Sequence, residues 1–128
     1  MSYYISKTLS LSFDESVTRA TEALKTEGFG ILTEIDVSAT LKKKIDVDYP
    51  AYRILGACNP ALAHEALMLE NKVGTMLPCN VVVRDAGNGQ IEVAAIDPVA
   101  SMQAIDNPAL KQAALLVRAK LEKVIAGL

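Results

Sequence analysis

Both thiols of this chain stand at similar punctuation points, Cys58 in Cys58-Asn59-Pro60 and Cys79 in Pro78-Cys79-Asn80. Cysteine has the widest chemical range of any side chain here, since its thiolate attacks electrophiles, exchanges with disulfides and ligates soft metals. Cys58 directly precedes an asparagine-proline pair that reads as a helix start. Its sulfur is therefore expected near unpaired amides at the positive end of a helix dipole, a setting that favours the thiolate. Cys79 follows a proline and opens an apolar run. The candidates for a ligand-binding or redox site are Cys58, Cys79, their neighbours Asn59 and Asn80, and Asp97 from the later stretch Ile96-Asp97-Pro98. A packing role competes with this, because reduced cysteine is among the most buried of residues and both positions adjoin apolar strands.

Other chemistries find less support. The candidate metal ligands are Cys58, Cys79 and the lone histidine, His64. They make at most three donors, far apart, without the close Cys-x-x-Cys pairing of structural zinc, so a closed site within one chain is not expected; a dimer could combine ligands from two subunits. His64 reads as an ordinary helix residue beside Glu65. No glycine-flanked serine joins a strand to a helix, as a nucleophile elbow requires. Gly28-Phe29-Gly30 follows a helix, where a phosphate would meet carbonyls instead of amides, and Gly87-Asn88-Gly89 reads as a hairpin turn. Asp46 and Asp48 have no spacing particular to acid–base work. Lys42-Lys43-Lys44 points around a helix axis and is followed at once by those two aspartates, the pattern of a solvated face. The sequence names no cofactor and assigns no catalysis.

The elements that must position the cysteines follow one another with short gaps. Tyr3, Ile5, Lys7, Leu9 and Leu11 alternate with mostly polar residues as in a half-buried strand. Ser12 and Glu15 form a capping box for a helix striped by Phe13, Val17, Ala20 and Leu24 and stopped at Gly28. A second strand is expected over Phe29 to Val37, with Phe29, Ile31, Ile35 and Val37 on one face. Ser38 then caps a short helix with Leu41 and Ile45 facing inward. Tyr52 to Cys58 reads as a third strand, and Asn59-Pro60 starts a helix striped by Leu62, Ala66 and Leu69. Val73 to Pro78 is a return loop, Cys79 to Arg84 a fourth strand, and Asn88-Gly89 the turn into a fifth at Gln90 to Asp97. Asn107-Pro108 opens a terminal helix striped by Leu110, Ala114, Val117, Leu121 and Val124. The expectation is an α+β fold: one domain over 1–128, a mostly antiparallel five-stranded sheet and three main helices. The order is β-α-β-β-α-β-β-α, with a short helix between strands two and three.

The segments Gly28-Phe29-Gly30-Ile31-Leu32, Ile54-Leu55-Gly56-Ala57-Cys58-Asn59-Pro60, Leu77-Pro78-Cys79-Asn80-Val81-Val82-Val83 and Ile96-Asp97-Pro98 resemble, in that order, successive motifs of the bacterial and archaeal family known as domain of unknown function 302. The similarity extends over essentially the whole chain, and the two cysteine motifs carry most of its specificity. It implies a compact α+β domain, often a homodimer. It also places Cys58, Pro60, Pro78, Cys79, Asp97 and Pro98 at motif positions, as a shared site would, and it implies no particular activity.

Composition narrows the partners. A chain of 128 residues, 51% apolar and with net charge −2, is the size of one domain and gives no reason to expect nucleic acid. No apolar run approaches a membrane span. Met1-Ser2-Tyr3-Tyr4 enters a strand pattern without a secretory leader, so a cytoplasmic location is expected, with reduced thiols. Two functions remain open. One is small-ligand or metal binding, or thiol/redox chemistry, at Cys58 and Cys79. The other is a non-catalytic homodimeric structural or interaction protein in which both cysteines pack the core.

Overall fold

Asparagine or aspartate before proline opens three helices in this chain, two of which, at Pro60 and Pro108, the sequence reading expects. Asn59, Asp97 and Asn107 each cap a helix whose first residue is Pro60, Pro98 or Pro108. A short polar side chain in extended backbone accepts an amide hydrogen bond from the first turn, and the proline needs no N–H there. The structure, a computed structural model, describes residues 2–128.

The element order is β1 (Tyr4–Leu9), α1 (Phe13–Thr26), β2 (Gly30–Asp36), α2 (Val37–Ile45), β3 (Tyr52–Cys58), α3 (Pro60–Leu69), a 3-10 turn (Val73–Met76), β4 (Cys79–Gly87), β5 (Gln90–Ile96), α4 (Pro98–Ser101) and α5 (Pro108–Ala126). The five strands form one antiparallel sheet in the order β1-β5-β4-β3-β2. The α+β reading of the sequence holds. The β4–β5 hairpin turns at Asn88 and Gly89, both at positive φ, as such a tight turn demands.

Alternate strand residues point to opposite faces. On one face Leu55, Ala57, Val81, Val83, Ile91, Val93 and Ala95 are buried under α1 and α5, with Leu24, Phe29, Leu121 and Val124 above them. A second apolar cluster, Ala66, Val73, Met102, Leu110 and Ala114, joins α3, the 3-10 turn and the start of α5. The long helix α5 spans both clusters. On the other face Asn80 and Arg84 are exposed, and Tyr52, Val82, Glu92 and Ala94 are half-buried.

Four local expectations fail for physical reasons. The cap of α2 is Asp36, two residues earlier than Ser38, whose hydroxyl instead donates to Asp36 Oδ1 at 2.8 Å. Val37 therefore belongs to the helix and not to the strand. Ile45 does not face inward; it is 64% exposed, and α2 contains no buried residue. Only Phe29 of the expected β2 stripe is buried, because β2 is an edge strand and a register shift between Ile31 and Thr33 breaks its alternation. Where the sequence reads simple connections after α3 and β5, the chain forms the 3-10 turn and the one-turn helix α4.

Candidate functional site

The two cysteines are carried on adjacent antiparallel strands. The β3–β4 register sets Ala57 opposite Cys79, so Cys58 lies one residue beyond that pair, on the next pleat. The thiols are both free and do not form a close pair. They differ in exposure, Cys58 being half-buried and Cys79 buried, while both border one cavity.

Cys79 faces the core and is 9% exposed. Burial pushes its thiol up to about 11, with the neighbouring Cys58 contributing in the same direction. It stays protonated at neutral pH and serves as a small apolar filler. Cys58 is half-buried and immediately precedes the α3 cap. That helix end is largely occupied: Pro60 has no N–H, and Asn59 Oδ1 accepts the Leu62 N–H at 3.3 Å. Asn59 Nδ2 in turn donates to the Glu27 carbonyl at 3.4 Å, tying α3 to the end of α1. Gly28, at φ +84°, makes room for this tie, since a Cβ there would stand 2.9 Å from Asn59 Nδ2.

The remaining sequence candidates separate. Asn80 is exposed on the opposite sheet face, away from Cys79. Asp97 is 5% exposed, and its Oδ1 accepts the N–H groups of Val99 and Ala100 at 2.9 and 3.4 Å. Its Oδ2 stands 3.5 Å from Arg118 Nε, which is also 3.2 Å from Glu122. These are charge contacts without hydrogen-bond alignment, and the buried Nε makes no hydrogen bond. Asp97 therefore secures the β5–α4 corner and presents no carboxylate to a ligand. His64 is exposed on α3. Among the described residues no three or more His, Cys, Asp or Glu side chains stand together as a metal site would need, and Cys58, Cys79 and His64 do not form such a group.

What the fold does bring together is a half-open cavity of about 320 Å³. It lies at the seam between the two apolar clusters. Ala57, Cys58 and Cys79 form its sheet side, Leu62, Ala63 and Ala66 come from α3, and Ala113, Ala114 and Val117 from α5. Met102 and Leu110 form the side toward α4, and Leu32 and Leu67, 67% and 43% exposed, stand among the rim residues. Pro78 closes against β3: a Cβ on Gly56 would approach its Cγ to 2.9 Å. The sequence reading found the two thiols of this cavity and missed most of its apolar lining. The one available signal was the small-residue pair Ala113-Ala114 on the buried stripe of α5, which leaves space where leucines would fill it.

A five-stranded antiparallel sheet with α1 and α5 on one face and an apolar cavity at its end defines a small α+β domain. The chain belongs to the family described as Domain of unknown function DUF302, whose model matches residues 5–128. It is similar to the crystal structure of an uncharacterized conserved DUF302 protein from Bacillus stearothermophilus, with 29% sequence identity, a TM-score of 0.91 and coverage of 98% of each chain. No curated protein matches the sequence. Among the described residues, no helix is long and apolar enough to cross a membrane.

Proposed function

We propose that this protein is a small-ligand-binding domain whose site is the cavity between α3, α5 and the adjoining ends of β3 and β4, with Cys58 as a thiol in its wall. The observation that carries this reading is the cavity itself: about 320 Å³, half enclosed and lined by residues from both apolar clusters. That volume falls at the lower end of the roughly 300–1,000 Å³ typical of small-molecule sites. Other concavities of the molecule have similar volumes, about 330 and 350 Å³, but charged side chains in their linings; the apolar lining is what marks this one. The two free thiols suit a reducing, cytoplasmic setting, where Cys58 remains available as a thiol and Cys79 packs the wall.

The test is a titration of the labelled protein with a library of small apolar fragments, followed through backbone amide resonances. The expected outcome is saturable shifts confined to Ala57, Cys58, Leu62, Ala113 and Val117 and their neighbours. Saturable shifts located elsewhere, or none at all, would overturn the assignment.

A second reading, homodimerisation, has its own support. Three of the four tyrosines line a concavity on the sheet face opposite α1 and α5, and Tyr49 packs edge-on against one of them, Tyr52, at 6.1 Å. Exposed tyrosine beside half-buried Val82 and Ala94 matches the composition of interface cores. The Arg84–Glu92 pair at 2.7 Å leaves no unpaired charge of either residue to be buried in a contact between copies.

A further inference from the structure

Resting on the cavity assignment above, we propose that the ligand is an uncharged, mainly hydrocarbon small molecule with at most one weak hydrogen-bonding group. Not one Asp, Glu, Lys, Arg or His is among the residues that line the cavity, from its sheet side to its rim. A charged group drawn into the cavity would give up its hydration for no partner, which is the costliest way to fill an apolar space. A phosphate or carboxylate headgroup needs arginine, lysine or a set of free amides, and the nearby helix end has its Leu62 amide taken by Asn59.

The few polar groups in the lining are already committed or undemanding. Asn59 uses its carbonyl oxygen to cap α3 and its amide nitrogen to hold the Glu27 carbonyl. The other polar side chains are the thiols of Cys58 and Cys79, weak donors and weak acceptors that neither require nor strongly reward a polar ligand. The charged groups of this region are directed elsewhere: Asp97 faces the first amides of α4 and Arg118, behind the wall formed by Pro98. Selectivity at such a site comes from apolar area and shape. Met102, Leu62 and Val117 supply adaptable aliphatic surface for an alkyl chain.

Calorimetric titration of the full chain at pH 8 with 1-butanol, 1-hexanol, 1-octanol and sodium octanoate tests this. Affinity is expected to rise about four-fold per methylene along the alcohols, and octanoate is expected to bind at least about ten-fold more weakly than octanol. Ala113→Leu, which adds bulk to the α5 wall, should weaken octanol by at least about ten-fold. Ala63→Leu on the half-exposed face of α3 provides the same test should the first variant fold poorly. Octanoate binding as tightly as octanol, or an affinity indifferent to chain length, would overturn the ligand class and leave the cavity as the site. Alcohol binding that is absent, or that neither filling variant weakens, would overturn the cavity assignment as well.

Discussion

Cys58 and Cys79 differ in burial, and that difference decides their chemistry. Cys79 lies opposite Ala57 on the core side, while Cys58 is half-buried at the strand's end. Iodoacetamide applied to the native protein at neutral pH should label Cys58 and leave Cys79 intact until the protein unfolds. Peptide mapping distinguishes the two, and equal labelling of both would contradict the assigned environments. The raised Cys79 thiol also makes stability depend on alkaline pH. Its pKa goes from an ordinary 9.0 to about 11, so above pH 9 the unfolded chain loses this proton before the folded one does. The stabilisation is complete below pH 9 and is lost as pH rises toward 11, an effect on the order of 2 kcal/mol. Urea unfolding across pH 8–11 should therefore show a steeper decline for the wild type than for Cys79→Ala, in which that slope is removed. Parallel declines would contradict the buried thiol. The sequence identifies both cysteines as candidates, but residue type and spacing carry no information on burial, which is set by how two strands are brought together across α3 and covered.

At the scale of elements, the asparagine-proline starts were legible because they are local: cap, proline and first turn lie within four residues. The tie from Asn59 to Glu27 was not, because it joins residues far apart in sequence. Asn59→Ala removes both the cap and the tie and should cost roughly 1–2 kcal/mol in urea denaturation. Asn59→Asp keeps an acceptor for Leu62 but loses the donor to Glu27, and should fall between the wild type and the alanine variant. An aspartate variant no better than alanine would show that the cap gains no more than a carboxylate loses against the Glu27 carbonyl. Gly56→Ala should be destabilising by roughly 1–3 kcal/mol, since its Cβ would press on Thr33 and on Pro78 in the cavity wall. The inward placement expected of Ile45 failed for the opposite reason: apolar spacing in a short helix reports a face but not whether anything packs against it. In α2 nothing does so fully, and Lys42 meets Asp46 and Asp48 at 2.9 and 3.2 Å on an exposed surface.

At the scale of the molecule, the five-stranded antiparallel architecture was readable from the Asn88-Gly89 hairpin turn, the irregular placing of helices among strands, and the helix starts at Ser12, Asn59 and Asn107. The cavity was not, because it arises where two separately packed clusters meet beneath α5, and no periodicity marks such a seam. The open sheet face yields a prediction of its own. Light scattering at micromolar concentration should give twice the chain mass of 13.7 kDa, and Tyr52→Glu should return the monomer without loss of helix content. A wild-type monomer would remove the dimer reading and leave the cavity untouched, since the two surfaces lie on opposite sides of the sheet. The cavity can be examined without assuming any ligand, because a preformed apolar space takes up xenon. In a crystal of the protein pressurised with xenon, the account predicts an ordered xenon atom enclosed by Ala57, Leu62, Ala113 and Val117, and its loss in Ala113→Leu. A wild-type crystal with side chains collapsed across that space, and no xenon in it, would contradict the account.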